Sequence, residues 1–241
     1  MPELAAGETG DRSTHGRGVL EGAFALLDAL EEAREAGLTA LAARSGLPKT
    51  TAYRLLEQLA ELGAVERHGA RYRPGPRLFR LGSAWQPHPA LRAAARGPVR
   101  RLAAATGATV GVCALREGRT LALLGASGMV DHLAPVRPGV SWPWHTAAGK
   151  ALVATSAPLM PFGPLPPSWR REAAAIRESG VALDREGILA GVCCVAVPVA
   201  TGRGETVGAL CALVDPSCDM RRLADLVTRA GRAVNAGLRG T

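Results

Sequence analysis

The sequence predicts a mixed α+β chain in two parts: a small helical module that closes on a hairpin, and a larger α/β domain of about 150 residues. Three observations carry this. Apolar residues recur at helical spacing through most of residues 19–62 and again over Met220 to Leu238. Between them lie four short runs with the length and β-branched content of strands: Thr109 to Leu115, Thr120 to Leu124, Val192 to Ala200 and Thr206 to Val214. A length of 241 residues accommodates two modest domains, each able to bury a core.

The totals exclude several classes. No run of eighteen apolar residues exists, so a membrane helix is not expected. The start of the chain, 1–16, is polar, lacks the apolar stretch of a secretion signal and reads as a disordered tail. The 5 cysteines are odd in number and lack disulfide-framework spacing, which suits the cytoplasm. Of the 29 basic residues all but Lys49 and Lys150 are arginine, and the net charge is +8. That excess is unevenly placed. Residues 1–40 carry 3 arginines (Arg12, Arg17, Arg34) against 8 carboxylates, whereas residues 41–80 carry 8 basic side chains against Glu57, Glu61 and Glu66. A local basic excess of this kind is the footprint of a module that contacts phosphates.

The first helix runs from Val19 to Ala36, with Leu20, Phe24, Leu27 and Leu30 on its apolar stripe and Glu31, Glu32 and Glu35 outward. Gly37 stops it. Thr39 is the candidate cap of a second helix, Ala40 to Ser45, and Gly46 turns the chain into a third, Pro48 to Leu62. On that third helix Ala52, Leu55, Leu56, Leu59 and Leu62 share one side. Thr50 and Arg54 fall opposite, with Tyr53 flanking and Lys49 and Thr51 near the N-terminal end. A recognition helix places the side chains that reach base edges at that end; arginine pairs bidentately with guanine, and threonine serves a base or a phosphate. Ala64 to Arg67, the turn His68-Gly69-Ala70 and Arg71-Tyr72-Arg73 then form a basic hairpin. Helix-turn-helix followed by hairpin is a winged helix, with Arg71 and Arg73 leading out of the wing. The competing readings are a packing module with a solvated charged face and a winged helix that binds another protein.

Gly46-Leu47-Pro48-Lys49-Thr50-Thr51-Ala52-Tyr53-Arg54-Leu55-Leu56 resembles the recognition-helix motif of IclR-family regulators, and Tyr72-Arg73-Pro74-Gly75-Pro76-Arg77-Leu78 is similar to the same family. The resemblance implies that Lys49, Thr50, Thr51, Tyr53 and Arg54 face double-stranded DNA, and that a homodimer or homotetramer binds a near-palindromic operator. It divides the chain into a winged helix over 17–76, a linker helix over 77–90 and a GAF-like effector-binding domain over 91–241. Two further segments of the second part resemble family signatures: His145-Thr146-Ala147-Ala148-Gly149-Lys150-Ala151-Leu152, and Asp184-Arg185-Glu186 with Gly191-Val192-Cys193-Cys194-Val195-Ala196-Val197-Pro198-Val199. They imply a small-molecule effector, an organic or aromatic acid, held by His145, Thr146, Ala147, Ala148, Asp184, Cys194 and Cys211. The chain departs from the family between Ala154 and Arg170, where Pro158, Pro161, Pro164, Pro166 and Pro167 forbid a regular helix.

In the rest of the second part, a helical pattern from Pro89 to Ala105 is expected to break at Gly97-Pro98, and Ser217 and Asp219 are candidate caps of the last helix. The strands are apolar on both faces, so helices should cover both sides of their sheet. Trp142 and Trp144 are open between pocket wall and ordinary core.

Other chemistry finds little support. Ala148-Gly149-Lys150-Ala151 lacks the first glycine and the hydroxyl of a phosphate-binding loop. Neighbours Cys193 and Cys194 point to opposite faces of a strand and cannot join each other, which favours packing over a thiol-based redox sensor. His132 and His145 lack metal-ligand spacing to any cysteine, and His15 and His68 belong to the tail and the wing. Asp184 and Glu186 have no nucleophile or cofactor motif beside them. No cofactor, metal or catalytic residue is therefore expected.

Overall fold

The computed structural model describes residues 18–85, 87–156 and 165–239; the proposed tail and Pro158, Pro161 and Pro164 lie outside them. Internal contacts divide the chain into two compact units at 86/87.

The first unit contains α1 (Val19–Ala33), β1 (Ala36–Gly37), α2 (Leu38–Ser45), α3 (Lys49–Glu61), β2 (Val65–His68), β3 (Arg71–Pro74) and α4 (Pro76–Ala84). Leu26 and Leu30 of α1, Leu41 of α2 and Leu55 and Leu56 of α3 meet in one core with Val65 and Tyr72. Several expectations change here. Helix α1 stops at Ala33, with Arg34 at φ 59°, because Ala36 and Gly37 are taken up as a short strand paired with Tyr72 and Arg71. Its stripe is also rotated: Leu26, Ala29 and Leu30 are buried, while Leu20 and Phe24 are 75% and 64% exposed. Helix α2 starts earlier than Thr39, behind Gly37, and no side chain caps it. Gly46 supplies the left-handed turn at φ 66°, and Pro48 stands just ahead of α3 as its cap residue. The sheet order is β1-β3-β2, all antiparallel.

The second unit contains α5 (Pro89–Thr106), β4 (Thr109–Arg116), β5 (Arg119–Ala126), β6 (Ser141–Pro143), α6 (Ala147–Thr155), α7 (Trp169–Ser179), β7 (Ala182–Arg185), β8 (Cys193–Ala200), β9 (Thr206–Val214) and α8 (Met220–Leu238). The six strands form one antiparallel sheet, ordered β6-β5-β4-β9-β8-β7. Helices α5 and α8 cover one face through Leu91, Val99, Leu223 and Val227; α6 and α7 cover the other through Ala151, Leu152, Trp169 and Ile176. Helix α5 is continuous through Gly97-Pro98, where the dipeptide by itself predicts a break. Pro98 forfeits one backbone bond, but Gly97 has no Cβ to clash with the proline ring, and Leu91, Ala95, Val99 and Leu102 are buried on both sides of it. Asp219, not Ser217, caps α8, accepting from the N–H groups of Arg221 and Arg222. Among the described residues no helix is long and apolar enough to cross a membrane.

Candidate DNA-binding face and effector pocket

The sequence of α3 sets its two sides. Ala52, Leu55, Leu56 and Leu59 are buried against α1 and α2, which leaves Lys49, Thr50, Tyr53 and Arg54 exposed and Thr51 half-buried at the N-terminal end. None of Lys49, Tyr53 and Arg54 is in an ion pair or side-chain hydrogen bond among the described residues. The wing differs. Arg73 is held by Glu66 (Nη2 to Oε2, 2.8 Å; Nε donating to Oε2, 2.9 Å). Arg71 lies against Glu35 (Nε to Oε1, 3.7 Å) and donates to its carbonyl. Both guanidiniums are exposed, yet a carboxylate already offsets each charge. The hairpin is pinned to α3 by the buried Tyr72, whose hydroxyl donates to Glu57 at 3.3 Å; burial, then the neighbouring Glu57 carboxylate, push the Tyr72 phenol above its ordinary range.

In the second unit a pocket opens between the sheet and α6. It is lined by Thr120, Trp142, Thr146, Ala148, Asp184 and Ile188 among others, over a floor that includes Cys113, Cys194 and Cys211. Thr146 shapes its edge: its Oγ1 accepts from Gly149 N and donates to the Pro143 carbonyl, both at 3.2 Å. Gly149 is required where it stands, because a Cβ there would sit 1.9 Å from the carbonyl oxygen of Trp144. Lys150 points elsewhere, its Nζ 2.7 Å from Glu172 on α7. On the opposite wall Asp184 stands in β7, and Ile188 and Leu189 close over the pocket from the loop that follows. That loop is tied back on itself by Glu186, which accepts from Gly191 N at 2.8 Å.

Of the residues expected to hold an effector, Thr146, Ala148, Asp184, Cys194 and Cys211 line the pocket. Ala147 is buried in the core beside it, and His145 is exposed and set edge-on to Trp144 at 6.0 Å. The two tryptophans divide between the readings left open. Trp142 lines the pocket, and Trp144 packs edge-to-face on Trp169 at 5.1 Å.

The residues that sequence reasoning missed come from distant segments: Cys113 and Thr120 from β4 and β5, Ala134 and Val136 from the connection to β6, and Ile188 and Leu189. Alternation was the available signal, since Cys113, Cys194 and Cys211 each sit between larger or inward-packed neighbours on their strands. Cys211 pairs with Gly111 on one side and Ala196 on the other, so Cys113 and Cys194, each two residues along, complete a diagonal row. Cys193 goes to the other face, as the strand period requires. Hydrogen bonding to Cys211 and burial push the Cys113 and Cys194 thiols well up, while their S–H groups, Cys113 first, pull central Cys211 the other way. Among the described residues no group of three or more His, Cys, Asp or Glu is placed to hold a metal ion.

Comparison with known proteins matches both parts. Residues 19–69 fit the IclR helix-turn-helix domain. The chain is 28% identical to the HTH-type transcriptional regulator BhcR of Paracoccus denitrificans, across 98% of this chain and 93% of that one. It is 31% identical to the HTH-type transcriptional regulator XynR of Escherichia coli, across 79% and 83% respectively. Among solved structures, an IclR homologue from Microbacterium hydrocarbonoxydans, complexed with 4-hydroxybenzoate, superposes with a TM-score of 0.71 at 21% identity, over 93% of this chain and 100% of that one. IclR of Thermotoga maritima superposes with a TM-score of 0.70 at 22% identity, over 91% and 98%.

Proposed function

Since the chain belongs to the IclR family of DNA-binding transcription regulators, we propose that α3 reads its operator and that a small organic acid in the second unit controls the reading. The observation that carries the first half is the face of α3: Lys49, Thr50, Tyr53 and Arg54 are gathered at the exposed N-terminal end of a helix whose other side is core. Arg54 reaches a base edge, Lys49 and Thr50 position the backbone, and half-buried Thr51 and the paired wing arginines Arg71 and Arg73 add phosphate contacts. A second copy completes the binding unit. Leu20 and Phe24 on α1 and Phe79, Leu81 and Trp85 on or just after α4 are each at least 50% exposed, apolar side chains that a homodimer would cover. A dimer presents two α3 helices to a near-palindromic site in cytoplasmic DNA.

The pocket supports an effector with an acceptor group at one end. The indole N–H of Trp142 is buried and has no hydrogen-bond partner among the described residues, and the first-turn N–H groups of α6 begin beside Thr146 and Ala148. A carboxylate satisfies both. Asp184 across the pocket takes a hydroxyl or other donor. The 4-hydroxybenzoate of the Microbacterium protein has this pairing of groups. The free space is about 50 Å³, well below the roughly 150 Å³ cavity that admits benzene. An aliphatic acid of a few carbons therefore suits this pocket, and an aromatic one requires the Ile188–Leu189 loop to yield.

Binding of the protein to DNA upstream of its own gene, against a scrambled duplex over a salt series, tests the first half. Arg54→Ala should cost about 1–3 kcal/mol on the preferred duplex and little on the scrambled one; equal losses on both would remove Arg54 from base reading. Asp184→Ala should abolish the response to small hydroxy acids while effector-free operator affinity stays unchanged, and a fall in both would make Asp184 a folding residue.

A further inference from the structure

The outer surface of α5 and α8 carries a concentration of charge that neither the operator-reading helix nor the pocket uses. Leu91, Ala95, Val99 and Leu102 turn one side of α5 to the sheet, and Met220, Leu223, Val227 and Val234 do the same for α8. Arg96, Arg100 and Arg101 of α5 and Arg221, Arg222, Arg229 and Arg232 of α8 are all exposed on the remaining surface, with Asp225 the one carboxylate in either helix. The two helices pack on each other, so their charges share one field. Among the described residues none of the seven arginines is in an ion pair. Arg96, Arg100 and Arg101 moreover rim a single hollow with Gly97 and Ala104, where like charges stand close together.

We propose that this face of the effector-binding unit is a second DNA contact, gripping phosphates beside the operator without reading sequence. Charge complementarity selects the partner. Two copies of the chain meeting through this surface would bring like charges together, which is unfavourable. Arginine suits phosphate, because its planar fork pairs two oxygens of one anion. On α5 the Arg96 and Arg100 side chains start about 6 Å apart along one side of the helix, which lets each engage a different phosphate. The regulator is already delivered to DNA by α3, so the partner is present at high local concentration. The consequence is an operator affinity steeper in salt than the recognition helix alone would give.

The test uses the full chain carrying Lys49→Ala and Arg54→Ala, which weakens the recognition helix, and a random-sequence duplex titrated over a KCl series. This background should retain binding to the duplex. Adding Arg96→Gln, Arg100→Gln, Arg229→Gln and Arg232→Gln should flatten the slope of log K against log [KCl] by about 0.9 for each phosphate no longer neutralised. Splitting the four into the α5 pair and the α8 pair should divide the effect between them. A background that no longer binds the random duplex, or a slope that the four substitutions leave unchanged, overturns the proposal. A change in sedimentation with the slope intact overturns it in favour of a contact between copies of this chain. The α3 reading is judged separately, by whether Lys49→Ala with Arg54→Ala loses the preference for operator over scrambled DNA.

Discussion

The two faces of the six-stranded sheet are made from the same strands and have opposite characters. Toward α5 and α8 the strands turn Val110, Val112, Val195, Val197, Val199, Leu210 and Val214, all within a core that the helices fill. Toward α6 and α7 they turn Cys113, Ala122, Cys194, Ala196, Ala209 and Cys211, and the pocket lies over that face. Leu213 is the large exception on the pocket side, and Ala114, Cys193 and Ala212 are the small ones on the packed side. The difference teaches that the pocket is a consequence of side-chain size at alternate positions. Helices can approach a sheet only as closely as their own side chains allow, so small residues on the strands leave volume above them. Three thiols and the methyl groups of alanine provide a smooth, weakly polar floor, and the specific polar groups enter from the rim, at Thr146, Asp184 and Trp142.

The comparison can be broken where it is strongest. Leu210 is 0% exposed on the packed face, between Val112 and Val197. Leu210→Ala should lower the unfolding free energy of this unit by about 2–5 kcal/mol, read from denaturant titration. A smaller effect would mean that the packed face also holds free space. One residue further, Cys211→Leu adds bulk to the pocket face. Overpacking a filled core costs about 1–3 kcal/mol, so a stability change within about 1 kcal/mol, together with at least a tenfold loss of effector affinity, is expected if the volume is truly free. A full overpacking penalty would erase the contrast between the faces. The smallest effect sharpens the rim. Trp142→Phe keeps a ring in place and removes the indole N–H, and should weaken the effector by about 0.5–1.5 kcal/mol in calorimetry. No change would mean that the effector's acceptor group does not reach the indole N–H.

The recognition helix and the pocket were legible to different degrees. Lys49, Thr50, Tyr53 and Arg54 could be assigned to the exposed face of α3 from helical periodicity, since all lie within two turns of one another and the helix angle alone separates them from Leu55 and Leu56. Four of the six strands of the second unit were equally readable as apolar runs, whereas the short edge strands β6 and β7 were not, and β9 and α8 occupy the spans their patterns predict. Thr146, Ala148, Asp184, Cys194 and Cys211 are marked by the likeness to a family, and Cys113 only by strand alternation, whereas Thr120, Val136 and Ile188 carry no local mark of a pocket. They are brought there by strand order and register, which join residues 100 positions apart in the Cys211–Gly111 hydrogen bond.

By itself, then, the sequence determined the longer helices and the four long strands, which side of α3 is core, and that the sheet must be covered twice, because each of these follows from periodicity over a few consecutive residues; the short strands β1, β6 and β7 and helix α7 carry too little pattern of their own. Tertiary structure decided the rest. It rotated the buried stripe of α1 so that Leu20 and Phe24 face outward, carried α5 through Pro98, and paired Arg71 and Arg73 with Glu35 and Glu66. It also aligned three cysteines from separate strands in one row. Those outcomes depend on what lies opposite each residue in space, and the energy of burial or pairing there outweighs the local preference that the sequence displays.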